Sequence, residues 1–177
     1  MKIAIIGYSG AGKSTLAEKL SLYYSIPKLH MDTLQFQPGW QDSDREWMLT
    51  EMKNFLTKHE AWVIDGNYSW CYYEERMQEA DQIIFLNFSP WTCLFRAFKR
   101  YLTYRGKVRE SMAAGCPERF DWDFIRWILW DGRTKNAKER YQWVQETYPE
   151  KVIVLRSQKE MDYFLENLAH NKKNQRA

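Results

Sequence analysis

The 177-residue chain has no apolar run long enough to cross a bilayer. Its longest, Ile3-Ala4-Ile5-Ile6 and Ile83-Ile84-Phe85-Leu86, are of strand length, against the roughly 20 residues that a spanning helix needs. The N-terminus, Met1-Lys2 followed at once by a strand, lacks the basic, apolar and small-residue zones of a signal peptide, so a cytoplasmic protein is expected. Cysteine is scarce. Cys71, Cys93 and Cys116 are odd in number and widely spaced, with no CxxC pair and no clustered His. That pattern argues against a disulfide framework and a zinc site, and for free thiols in a reducing compartment. Net charge is small as well: 26 Lys and Arg against 23 Asp and Glu leave +3, unlike a histone-like or an acidic-tail protein. There is no internal repeat and no linker, so one domain over 1–177 is expected, with a frayed tail at 170–177. The NKxD-type motif of guanine-specific GTPases is missing: Asn171-Lys172-Lys173-Asn174 has no aspartate.

Aromatic residues are plentiful instead, with nine Trp, eleven Tyr and nine Phe, and hydrophobic residues make up 45%. This is bulk enough for a core, and it excludes global disorder. Short apolar runs alternate with segments of helical spacing. Strands are expected at 2–6, 28–31, 61–64, 82–88 and 151–155. The helical pattern recurs at 13–24, after a Ser43/Glu46 capping box, at 70–79, from Ser89-Pro90, across 121–148 with a break at Gly132, and after Ser157/Glu160. Strands alternating with helices predict an α/β fold: a five-stranded parallel sheet with helices on both faces. Ligands of such sheets bind beyond the carboxyl ends of the strands.

Just after the first strand stands Gly7-Tyr8-Ser9-Gly10-Ala11-Gly12-Lys13-Ser14-Thr15, which matches the phosphate-binding pattern GxxxxGK[ST] in its required strand-to-helix context. Glycines let successive backbone N–H groups point inward, where they and the positive end of the following helix hold phosphate oxygens. Gly7, Ser9, Gly10, Ala11, Gly12, Lys13, Ser14 and Thr15 are therefore the expected nucleotide-binding residues. Lys13 is expected on the β- and γ-phosphates and the Ser14 hydroxyl on Mg²⁺. With guanine-specific enzymes set aside and the chain too small for a motor or an AAA-type module, the small-kinase group of P-loop NTPases remains.

Four blocks resemble the bacterial DNA topology modulation (FlaR-like) proteins: His30-Met31-Asp32-Thr33-Leu34 with Pro38-Gly39-Trp40; Trp62 to Tyr68; Ala80 to Leu86; and Val152 to Ser157. They run in the right order across most of the chain. Such proteins are similar to adenylate kinases in fold. The resemblance implies a core nucleotide site for ATP with Mg²⁺ and a lid. Asp32 after the second strand is expected to accept a proton from a substrate hydroxyl or to face Mg²⁺; the plainer reading is a loop cap. Asp65 before Gly66 looks like the carboxylate that binds Mg²⁺-bound water, or else a plain Asp-Gly turn. The acid that many P-loop enzymes place on the neighbouring strand is here about Asn87.

A basic run holds Arg96, Lys99, Arg100, Arg105, Lys107 and Arg109, with no acid before Glu110. Its readings are a phosphate-closing lid over 105–120, a solvated helix face, or a nucleic-acid patch with Tyr101 and Tyr104 interleaved. On the lid reading, Arg105 and Arg109 act on the transferred group, Arg100 binds nucleotide and Arg133 returns from the far side. The 33–60 insertion would cover a phosphoryl acceptor, with Phe36, Trp40 and Arg45 forming its pocket, or Trp40 and Trp47 would simply pack. Trp122, Trp127 and Trp130 are expected as core or hinge packing. The resulting expectation is a kinase moving the ATP γ-phosphoryl group to a nucleoside, nucleotide or other small hydroxyl compound. The alternative is an ATP-binding regulator acting on DNA topology through DNA or partner contacts.

Overall fold

The computed structural model describes residues 1–174, with side chains through His170. The apolar run at the N-terminus forms β1 (Lys2–Gly7), whose interior residues are all buried. The P-loop follows and leads into α1 (Lys13–Tyr24), which sets Leu16, Ala17 and Leu20 on one buried face. Next come β2 (Lys28–His30) and a short α2 (Met31–Gln35). A hairpin of β3 (Phe36–Gln37) and β4 (Gln41–Asp42) precedes α3 (Arg45–Lys58). The chain continues through β5 (Trp62–Asp65), α4 (Tyr73–Glu79), β6 (Gln82–Leu86) and α5 (Pro90–Tyr104). It closes with α6 (Trp122–Leu129), a 3₁₀ turn at Asp131–Arg133, α7 (Lys135–Thr147), β7 (Val152–Leu155) and α8 (Gln158–Asn174).

The five long strands form one parallel sheet in the order β2-β5-β1-β6-β7, with helices on both faces, as the strand–helix alternation predicts. β1 is central. Its Ile5 pairs with Asp65 on one side and Ile84 on the other. Burial on both faces explains why β1, β5 and β6 are nearly unbroken apolar runs. The register brings Gly7, Asp65 and the end of β2 together at the carboxyl end of the sheet, and that end carries the P-loop.

Several local expectations shift. α3 is capped by Asp44, whose carboxylate accepts from Trp47 N at 2.9 Å, and not by Ser43 with Glu46. Either residue suits an N-cap, and the β3–β4 hairpin sets the helix start one residue later. That hairpin lies where the sequence pattern showed only a loop. Its turn puts both Gly39 (φ 80°) and Trp40 (φ 64°) in the left-handed region. The Ser157/Glu160 box does form: Ser157 Oγ accepts from Glu160 N at 3.2 Å, and the Glu160 carboxylate accepts from Arg156 N at 2.8 Å. Of the expected frayed tail, α8 takes in the part up to Asn174, and 175–177 lie outside the described residues. The three cysteines are buried and unpaired with one another. Among the described residues no helix is long and apolar enough to cross a membrane.

A second, small core lies away from the sheet. Met112, Ala113 and Cys116 of the segment 105–120 pack against Phe36 and Trp40 of the hairpin. Gly39 N donates to Gly115 O at 3.0 Å and Trp40 Nε1 to Pro117 O at 3.2 Å. The two excursions from the sheet edge are therefore docked on one another.

Candidate active site

The P-loop geometry follows from its glycines. Gly10 (φ 80°) and Gly12 (φ 96°) both hold left-handed backbone, and a Cβ on Gly10 would stand 2.5 Å from Cys93 O. α1 begins at Gly12 with no side-chain cap and no acid in its first turn. Its first N–H groups and the positive end of its dipole thus face the cleft uncompensated by protein. Lys13 Nζ donates to Gly7 O at 2.9 Å and Tyr8 O at 3.3 Å. Burial pulls the Lys13 ammonium below its usual pKa, and the carboxylates of Asp32 and Asp65 oppose that shift.

The two aspartates are held differently. Asp65 is buried at the end of β5; it accepts from Ser14 Oγ at 2.8 Å and shares a 2.5 Å hydrogen bond with His30 Nδ1. Asp32, in the first turn of α2, lines the cleft and accepts from the Tyr68 hydroxyl at 2.6 Å. Burial first, then the neighbouring Asp32 charge, push the Tyr68 phenol well above its usual range, so it stays a donor. Asn67 pairs with Gly7 in both directions, accepting from Gly7 N at 3.0 Å and donating to Gly7 O at 2.6 Å. This ties the end of β1 to the loop after β5.

These groups border a cleft of about 790 Å³. Of the residues singled out from sequence, Ser9, Gly10, Gly12, Lys13, Ser14, Thr15, Asp32, Phe36, Trp40, Arg100 and Arg109 line it. Gly7, Ala11 and Asp65 lie just beneath as buried supports. Three residues stand elsewhere. Arg133 sits 3.7 Å over the Tyr8 ring and donates to Ile128 O and Phe88 O, so its guanidinium props the P-loop from outside the cleft. Arg105 is exposed at the end of α5, outside the cleft lining. Arg45 lies 5.0 Å over the ring of Trp70, a residue of the cleft wall, and does not itself line the cavity.

The partners of the cleft cations, and some further cleft groups, have no signal in the sequence. Arg100 Nε and Arg109 Nη2 both donate to Glu118, at 2.5 and 3.2 Å. Glu118 is buried between them, so two of the expected lid cations share one carboxylate. Burial, then the Arg109 charge, lower the Arg100 pKa against the pull of Glu118. Glu118 is 18 residues from Arg100, and no spacing rule links them. Arg96 stacks 5.0 Å over Phe88 with its guanidinium against Gly12, one helical turn before Arg100 on the same face of α5. Trp122, Trp127 and Trp130, expected as core or hinge packing, are all exposed, which overturns the core half of that expectation. Trp127 lines the cleft and donates its Nε1–H to Ser9 Oγ at 3.0 Å. Asn67 and Tyr68 directly follow Asp65-Gly66, so their position was legible and their partners were not.

A parallel five-stranded sheet with a P-loop at the tip of its central strand, and cations facing that loop, has the fold of the small P-loop kinases. Among solved structures, the chain is similar to a deoxyadenosine kinase from M. mycoides, at 19% identity over 100% of both chains with a TM-score of 0.52. It is similar to a shikimate kinase from Bacteroides thetaiotaomicron, at 18% identity over 98% of each chain and a TM-score of 0.51. A gluconokinase from Sinorhizobium meliloti 1021 matches at 19% identity over 98% of this chain and 96% of its own, with a TM-score of 0.50. The likeness is one of fold. No family model and no curated protein matches the sequence.

Proposed function

We propose that this protein is an ATP-dependent phosphotransferase acting on a small hydroxyl compound. The observation that carries the reading is the convergence, in one cleft, of an uncapped P-loop helix, Lys13, a tethered carboxylate at Asp32 and the facing Arg96, Arg100 and Arg109. The P-loop N–H groups and Lys13 hold the β- and γ-phosphates. Mg²⁺ suits this site: Ser14 Oγ and Asp65 are hard oxygen donors already in contact, and a metal shared with substrate phosphates needs only one or two protein carboxylates. When bound, Mg²⁺ neutralises charge on the phosphate oxygens.

Asp32 takes the proton of the acceptor hydroxyl while its oxygen forms the new bond to the γ-phosphorus. The bond from that phosphorus to the bridging oxygen breaks, and ADP leaves. Tyr68 occupies Asp32 Oδ1, which leaves Oδ2 to receive the proton. The arginines stabilise the charge that spreads over the transferred group. The acceptor end of the cleft is walled by Phe36, Trp40, Tyr68 and Trp70, with Gln35 among them. Flat aromatic walls, on which a base can stack, favour a nucleoside or nucleotide over a polyol. The blocks that resemble FlaR-like proteins contribute Asp32, Trp40, Asp65 and Tyr68 to this arrangement. A regulatory DNA-binding role draws no support from the cleft, because Arg100 and Arg109 turn inward to Glu118.

The test offers purified protein ATP and Mg²⁺ with a panel of nucleosides, nucleotides and sugars, and follows ADP release. Turnover with a nucleoside or nucleotide is expected. Lys13→Ala is expected to abolish that turnover, and also to abolish the rise in thermal midpoint that ATP gives, which amounts to about 2.7 kcal/mol at a hundredfold excess over Kd. An unchanged ATP affinity in Lys13→Ala would refute the P-loop reading.

A further inference from the structure

Away from the cleft, α5 turns a row of large apolar side chains to solvent: Trp91, Phe95, Phe98 and Leu102 are 70%, 68%, 42% and 59% exposed. Their spacing is four, three and four, so on an ideal helix they fall within an arc of about 60°. This is the narrow seam that lets one helix pack along another. The opposite face is engaged within the chain. Cys93 and Ala97 enter the core, and Arg96 and Arg100 enter the cleft. Phe120 packs on Phe98 at 5.2 Å, and two residues further on, at the start of α6, Trp122 is 67% exposed.

We propose that this face docks a second copy of the same chain, α5 lying antiparallel against its counterpart about a twofold axis. Three observations select that occupant. The seam is self-complementary, since a 4-3-4 row reads the same in both directions, as an isologous contact requires. The five side chains present roughly 600 Å² of apolar surface, taking about 200 Å² for an aromatic group. Two copies that covered all of it would bury at most roughly 1,200 Å², the lower bound of a specific interface and the size of a weak, concentration-dependent dimer. Charge disfavours a lipid or nucleic-acid surface. Two of the three cations on α5 face inward and leave Lys99 beside the row, with Arg105 and Lys107 exposed past the end of the helix, a small cluster for anionic headgroups or phosphates. Docking would also clamp the helix that carries Arg96 and Arg100. The inference does not depend on the proposed phosphotransfer.

The test is sedimentation equilibrium of the full chain between about 1 and 200 µM, the span for an interface of this size. A monomer–dimer equilibrium is expected. The double substitution Phe95→Glu with Leu102→Glu should weaken it by about tenfold or more, with the thermal midpoint kept because both positions are exposed. The milder pair Phe95→Ser with Leu102→Ser reads the same loss should the glutamates disturb folding. Leu22→Glu, at an exposed position on α1, should leave the dimer intact. A wild-type chain that stays monomeric across the range overturns the proposal, as does a dimer insensitive to both pairs. Monomeric protein that co-floats with phosphatidylserine vesicles also overturns it, and assigns the face to a membrane.

Discussion

Asp32 stands just after β2 and Asp65 ends the neighbouring β5, yet their carboxylates are held differently. Asp65 is closed in by Ser14 and His30, whereas Asp32 keeps one oxygen toward the cleft. Asp32→Asn is therefore expected to lower kcat by more than about tenfold with ATP affinity little changed, as for a group used only in the transition state. Asp65→Asn should instead raise the Mg²⁺ concentration needed for half-maximal rate. Titrating each variant with Mg²⁺ at saturating ATP separates the two, and a fully active Asp32→Asn enzyme would show that the proton goes elsewhere. The arginines divide the same way. Arg109 lines the cleft and Arg105 does not, so Arg109→Ala should reduce turnover more than ATP binding, while Arg105→Ala should leave both nearly unchanged. Steady-state kinetics alongside calorimetric ATP binding reads both.

Elements carry their own stability signals. Asp121 caps α6, accepting from Phe124 N at 2.9 Å, and its hydrogen bond from Arg119 lowers its pKa. Asp121→Ala should cost about 1 kcal/mol in urea unfolding, the usual worth of an N-cap, and Asp121→Asn less. Because the folded carboxyl holds its proton less tightly than the unfolded one, the ionic part of this stability is present above the unfolded pKa of about 3.9. It is lost as pH falls through the lower folded value. The difference in urea midpoint between wild type and Asp121→Asn should thus shrink below about pH 4. The contact between hairpin and 105–120 segment depends on Gly115, which has φ 74° and would put a Cβ 2.7 Å from Pro38 Cβ. Gly115→Ala should cost about 1–2 kcal/mol in left-handed strain alone and should speed proteolytic nicking of 105–120. ATP analogues should slow that nicking in the wild type, the behaviour of a lid that closes on phosphates.

At the scale of the molecule, the net charge is +3, and the pairing of Arg100 and Arg109 with Glu118 takes two of the six cations of the basic run out of the surface, leaving Lys99, Arg105 and Lys107 exposed. DNA binding should be weak at physiological salt, and a plot of log affinity against log salt should be shallow, since few counterions are released. Tight, salt-steep binding that is unaffected by ATP and lost in Arg105→Ala or Arg109→Ala would favour the regulatory alternative. The docked excursions also join the hairpin to the 105–120 segment, through Phe36 and Trp40 on one part and Met112 and Cys116 on the other.

The P-loop from Gly7 to Thr15, the five strands and the placement of Asp32 and Asp65 after their strands could all be read from sequence. Each rests on periodicity or on a local motif, and such signals live within a few residues of one another. The roles of Asn67, Tyr68, Glu118 and Trp127 could not, and Arg133, Arg105 and Arg45 were expected in a cleft they do not line. Those positions are decided by pairs far apart in the chain: Gly7 with Asn67, Arg100 with Glu118, Ser9 with Trp127. Sequence shows that an arginine is available. Whether its guanidinium faces a phosphate site, a backbone carbonyl or a buried carboxylate depends on which groups the fold brings within hydrogen-bonding reach, and a buried polar group settles where its bonds are met.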